Sequence, residues 1–144
     1  MSDNNTIHGF PCTDTDTDGV VFVNTTPHEV KIYGEGGELL FSIPAPGKGG
    51  PSVRVRERCE RVGTVGGVPT VILTPAGVEG LPAPGENVFY VISGMALDNL
   101  RQGGDERGDV IAPVTSPDEN VPEEFRPLRD PVKGWILGAR AWRC

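Results

Sequence analysis

From Val20 onward, short apolar runs alternate with glycine and proline. Residues 20–24, 29–33, 38–43, 52–56, 68–73, 88–93, 109–112 and 134–142 are such runs, each bounded by turn formers, and they predict strands rather than helices. Val20-Val21-Phe22-Val23 and Val88-Phe89-Tyr90-Val91-Ile92 are apolar at every position, which predicts central strands covered on both faces. Glu29-Val30-Lys31-Ile32-Tyr33 alternates and predicts one wet face, and Gly34-Glu35-Gly36-Gly37 after it has the composition of a hairpin loop. Helical spacing occurs in residues 95–102, where Met95, Leu97 and Leu100 are apolar and Asp98 and Arg101 polar. Strand 88–93, Gly94, this two-turn helix and strand 109–112 together predict a compact crossover. The expected fold is mainly β, an α+β arrangement with one short helix, in a single compact domain of short strands with Pro/Gly-rich turns.

Composition sharpens that picture. The chain has 144 residues, of which 20 are Gly and 14 Pro, and the longest interval free of both is residues 52–62. Bundles and coiled coils are excluded, because a breaker interrupts every longer window. Residues 1–19 are polar and acidic without apolar periodicity and read as a flexible arm, while 20–144 read as one β-rich domain with a Pro-rich acidic loop at 113–131. Thirteen Lys and Arg against 20 Asp and Glu leave a net charge of −7, which argues against general nucleic-acid binding and against anionic membranes. No run is long enough to span a bilayer, and the N-terminus lacks the basic start and apolar run of a secretory signal, so a cytoplasmic location is expected. Cys12, Cys59 and Cys144 are odd in number and lack CxxC spacing, which favours buried or idle thiols over a disulfide framework or a cysteine-built zinc site.

Four features carry candidate chemistry. Asp14, Asp16 and Asp18 followed by Gly19 match the first half of a calcium loop, but Thr25 stands where a closing Glu belongs, so the choice lies between weak calcium binding and an acidic leader. Arg54, Arg56 and Arg58 recur with period two, about 7 Å apart on one face of an extended segment, close to the spacing of successive phosphates. The alternative there is a solvated sheet face on which Arg pairs with Glu. Ser93-Gly94 stands where a buried strand meets the helix, so the first helical amides point outward and favour an anion. His28 follows Pro27 at the opening of a strand, where an imidazole either bonds the backbone or meets a ligand. Core packing is the default for Trp135 and Trp142, with stacking on a base as the alternative for Trp142. Arg107-Gly108-Asp109 spells an integrin-binding tripeptide that arises readily by chance. With no nucleophile elbow, P-loop or dinucleotide fingerprint, an enzyme is not expected.

Val23-Asn24-Thr25-Thr26-Pro27-His28, Ile43-Pro44-Ala45-Pro46-Gly47, Gly80-Leu81-Pro82, Tyr90-Val91-Ile92-Ser93 and Arg107-Gly108-Asp109-Val110-Ile111-Ala112-Pro113 occur in this order. In this the chain resembles a group of small uncharacterised proteins of tailed phages and actinobacteria, over residues 20–138. The resemblance implies a phage or prophage origin and brings no catalytic residue with it; the acidic leader and the loop 117–131 depart from the group's pattern. Together these readings lead to a small phage-encoded binding protein that holds a phosphorylated or nucleotide-like molecule or blocks a host protein, as a counter-defence factor in the infected cell. Its candidate ligand contacts are Arg54, Arg56, Arg58, Ser93, Gly94, His28 and Arg107, with no cofactor unless calcium binds the leader. A structural or decoration protein of the virion is the alternative, and a second copy of the chain is a further partner the sequence leaves open.

Overall fold

The computed structural model describes residues 19–116 and 119–144, so the candidate calcium ligands Asp14, Asp16 and Asp18 lie outside the described residues. The elements run β1 (Val21–Asn24), β2 (Val30–Tyr33), β3 (Leu39–Ile43), β4 (Arg54–Val65), β5 (Val68–Glu79), β6 (Val88–Val91), α1 (Gly94–Gln102), β7 (Val110–Pro113), β8 (Leu128–Arg129), β9 (Ile136–Gly138) and β10 (Trp142–Arg143). The protein is mainly β, with α1 the one α-helix among the described residues. No helix there is long and apolar enough to cross a membrane.

A four-stranded sheet in the order β1-β6-β7-β10 organises the molecule. β1, β6 and β7 are parallel, and β10 is antiparallel to β7. The connection from β6 through α1 to β7 is the crossover the sequence predicts. Along β6 and β7, alternate side chains enter two different cores. Val91 and Ile111 face the hairpin of β2 and β3, where Val30, Ile32 and Ile43 pack with Phe22, Phe41, Phe89 and Trp142. Ile92, Val110 and Ala112 face α1, whose Ala96, Leu97 and Leu100 are covered in turn by Val53, Val55, Val78 and Leu81. A sheet covered on both sides needs strands that are apolar on both sides, which is why residues 88–92 carry no polar position.

Four expectations are corrected. β1 is an edge strand, with Val21 52% exposed, although its sequence predicts a central position. Its apolar run reflects what covers its faces: Phe22 stacks on Phe41 and on Trp142, with centroids 5.4 and 5.5 Å apart. Apolarity does not report which edges are paired. Second, the short runs 52–56 and 68–73 belong to two twelve-residue strands, β4 and β5, that pair antiparallel across the turn Gly66-Gly67. Pro69 and Pro75 do not break β5, because each sits where its nitrogen faces away from β4. Third, Cys144 is held in a disulfide, whereas Cys59 is exposed and free. Disulfide pairing depends on the approach of Cα atoms in the fold, which CxxC spacing does not report. Residues 134–142, expected as one strand, divide into β9 and β10 around Ala139, which is buried and bonds β2 through Lys31 and Tyr33.

Candidate functional site

Three chain segments end together at the carboxyl edge of the parallel strands, the position at which open α/β sheets hold ligands. After β1, the segment Asn24-Thr25-Thr26-Pro27-His28 folds into a tight turn around Asn24. The Asn24 amide donates to the carbonyls of His28 (2.7 Å) and Pro44 (3.2 Å), and its oxygen accepts from the Thr26 backbone amide (2.9 Å) and hydroxyl (2.7 Å). Thr25 fastens this turn to β6, donating from both its amide and its hydroxyl to the Val91 carbonyl. The turn thereby holds the His28 backbone, while the imidazole stays exposed and makes no hydrogen bond among the described residues. After β6, Ser93 caps α1: its backbone is extended and its hydroxyl accepts from the Ala96 amide at 3.1 Å. The first amides of the helix, at Gly94 and Met95, have no intrahelical acceptor and carry the positive end of the helix dipole.

Arg143 completes the edge. Pairing of β10 with β7 sets Arg143 opposite Ala112. Its guanidinium then lies over Gly94, so closely that a Cβ at Gly94 would come within 2.8 Å of Nη1. A cation beside a helix N-terminus is unfavourable by itself. Asp98, one turn further along α1, accepts from Arg143 at 2.5 Å and offsets part of that repulsion. The two side chains are 41% and 55% exposed, and an ion pair so placed contributes little to folding. Stability therefore does not account for a guanidinium at this end of α1.

Two contiguous clefts open on either side of this group. One, about 460 Å³, is lined by Thr26, His28, Lys31, Ser93, Gly94 and Thr115; the other, about 930 Å³, by Met95, Val114, Phe125, Trp142 and Arg143, again with Gly94 and Thr115. Both clefts mix polar and apolar groups: Val30, Pro113, Ile136, Leu137 and Ala139 also line the smaller, Asp98 and Ser116 also line the larger, and Met95 is 73% exposed. Backbone amides, hydroxyls and a guanidinium beside a flat apolar wall suit a ligand that carries an anionic group and a ring.

The fold thus brings His28, Ser93 and Gly94 to one place and leaves the other candidate contacts elsewhere. Arg54, Arg56 and Arg58 are exposed on β4 and line neither cleft. The base of that hairpin is fixed to the far half of α1, where Asn99 accepts from the Gly77 amide (2.7 Å) and donates to the Arg56 carbonyl (3.4 Å). Arg56 also approaches Glu79 at 4.0 Å, the cross-strand pairing that a solvated face provides. Arg107 is turned inward. It makes two parallel bonds to Asp109 (3.0 and 2.8 Å), donates to the Pro82 carbonyl (2.9 Å) and lies 5.6 Å from the centre of the Tyr90 ring. The bond to Asp109 raises the Arg107 pKa above its ordinary value. The Arg-x-Asp and Gly-Leu-Pro segments are thereby two sides of one structural tie. Arg143 and Thr115 are the contacts that sequence reasoning missed, since neither sits in a motif. No protein family, curated protein or solved structure matches the chain.

Proposed function

We propose that the protein binds a small phosphorylated molecule of nucleotide type, with its anionic group on Arg143 and the amides of Gly94 and Met95 and its ring against Trp142, Met95 and Phe125. The observation that carries this reading is the Arg143 guanidinium held over Gly94 at the start of α1, between two joined clefts. A phage origin, implied by the resemblance, makes a nucleotide signal of the host the ligand of interest and sequestration the activity. Such binding requires no catalytic group, and the net charge of −7 selects a small anion over a polymer. Calorimetric titration with linear and cyclic nucleotides tests the reading. Hydrogen bonds to charged groups contribute about 1.5–3 kcal/mol each, so Arg143→Ala weakens binding about ten- to a hundredfold. Arg56→Ala on the hairpin leaves it unchanged. Binding no tighter than about millimolar for every nucleotide removes the reading, as does equal loss in both variants.

The long hairpin favours a second reading, a component of the virion that contacts its neighbours through β4 and β5. Mass spectrometry of purified virions separates the two, because a sequestering factor is absent from the particle.

A further inference from the structure

β4 and β5 extend well past the helix they pack on. Only Val53, Val55, Val78 and Leu81, at the base, join the core around α1. Beyond them Val62, Val65, Val68, Val71, Ile72 and Leu73 are all more than 40% exposed. A two-stranded ribbon is marginal in water, and a third strand or a covering layer is what normally stabilises it.

Its two edges differ. Glu57 is paired with Pro75, and Thr64 with Pro69. Proline has no N–H, so these are the pairs in which no backbone hydrogen bond is exchanged. Counting by two along the regular stretch Glu57–Arg61, the amides and carbonyls of Glu57, Cys59 and Arg61 must then point away from β5. β4 is bonded to no other strand among the described residues, so these groups form an open edge. On the far side, Pro69 and Pro75 strip two donors from the edge of β5, a device that discourages pairing there. The edge of β4 has no such protection.

The residues on that open edge read Glu57-Arg58-Cys59-Glu60-Arg61, and the register is regular through all five, with irregularities only on either side. The order of charges is minus, plus, neutral, minus, plus, which is its own complement when reversed. Two such strands meeting antiparallel about a twofold axis must place one residue against its own copy. With Glu57, Arg58, Glu60 or Arg61 on the axis, like charges meet. With Cys59 on the axis, every charge meets its opposite: Glu57 against Arg61 and Arg58 against Glu60, each twice by symmetry. Like charges directly opposite destabilise a strand pair and unlike charges stabilise it, so the pattern selects a single register. In that register the pairing spans the five regular positions Glu57–Arg61, and the irregularities between Val55 and Glu57 and between Arg61 and Gly63 bound it on either side.

We propose that two copies of this chain associate through their β4 edges, with Cys59 on the twofold axis, to form a four-stranded antiparallel sheet in the order β5-β4-β4-β5. The six outward backbone groups of Glu57, Cys59 and Arg61 are satisfied in pairs, and Val71 and Leu73 share a face with the central cysteines. Formation of this sheet is independent of the clefts at the start of α1.

Sedimentation equilibrium over a micromolar concentration series tests the proposal on the Cys59→Ser protein, in which no disulfide at the axis contributes. A dimer is expected. Arg58→Glu and Glu60→Arg, introduced singly, set like charges opposite each other twice and weaken association about tenfold or more. Combined, they restore the complementary pattern and return the dissociation constant to near its starting value. In the protein with Cys59 present, opposed Cα atoms lie about 5.5 Å apart, within disulfide reach. Diamide, which takes one hydrogen from each thiol, then gives a covalent dimer that Cys59→Ser abolishes. A monomer at every concentration, failure of the combined variant to recover, or a dimer without the Cys59 cross-link overturns the proposal. Circular dichroism on each variant shows whether a loss of association reflects the edge or the fold.

Discussion

Arg107 and Asp109 meet through two parallel hydrogen bonds with their side chains only 21% and 20% exposed. Removing one partner of a pair shielded to that degree leaves the other charge poorly solvated, so Arg107→Ala is expected to cost about 2–3 kcal/mol in urea unfolding, somewhat less than for a fully buried pair. Arg143→Ala, removing an exposed pair with Asp98, is expected to cost less than about 1 kcal/mol. Two arginines are thus separable by one measurement: the first loses stability and the second loses ligand. Asp130 is a third case. Its carboxylate accepts from the amides of Lys133 and Val132, which lowers its pKa below the ordinary value. A depressed carboxyl stabilises the fold above the unfolded pKa, about 3.9, and that contribution is lost as pH falls through the lower, folded value. A carbon-detected NMR titration is expected to place the Asp130 midpoint below about 3.9; a midpoint at or above it refutes the assignment. At this scale the sequence reveals groups whose role is local. Ser93 and Gly94 are legible because a cap and a helix start are neighbours in the chain. Arg143 is not, because its place beside Gly94 follows from the pairing of β10 with β7.

Elements depend on close approaches that no propensity encodes. Gly138 in β9 crosses β2 so tightly that a Cβ there would lie 2.5 Å from the Lys31 carbonyl oxygen and 2.6 Å from the Tyr33 ring. The nearest atom is backbone and cannot step aside, so Gly138→Ala is expected to cost about 1–3 kcal/mol, the usual range for overpacking. Gly63 in β4 has nothing within 4 Å of the same added atom, and Gly63→Ala is expected to be neutral within about 0.5 kcal/mol. Denaturant unfolding of both variants checks the contrast; equal effects would mean that the β2–β9 contact yields. α1 and β2 were legible because their buried faces repeat with the period of the element itself. The length of β4 and β5 was not. Their outer halves are exposed, so no apolar alternation marks them, and prolines that look like breakers occupy positions where an N–H is not needed.

Across the whole molecule, the sheet β1-β6-β7-β10 belongs to both cores, and neither core includes a hairpin residue between Val55 and Val78. Mainly β character was legible in the abundance of glycine and proline, whereas the clefts were not, since residues 26–28, 93–95, 115 and 142–143 meet only once the sheet has closed. This division of labour has a thermodynamic consequence. A hairpin that buries little against the body adds little to its stability, while the body carries both cores and the candidate anion site. Replacing residues 58–74 by a short Gly-Asn-Gly turn is therefore expected to leave a protein that still unfolds in one transition. At concentrations where the full chain is monomeric, its melting temperature should lie within a few degrees of the full chain's, corresponding to about 1 kcal/mol or less. A nucleotide at about a hundredfold above its dissociation constant should add about 2.7 kcal/mol of stability to both proteins, because the hairpin lines neither cleft. Differential scanning calorimetry of the two, with and without nucleotide, measures both quantities. Loss of the transition on truncation would make the hairpin part of the folding unit, and loss of the nucleotide shift alone would move the anion site to the hairpin, where the truncation removes Arg58 and Arg61.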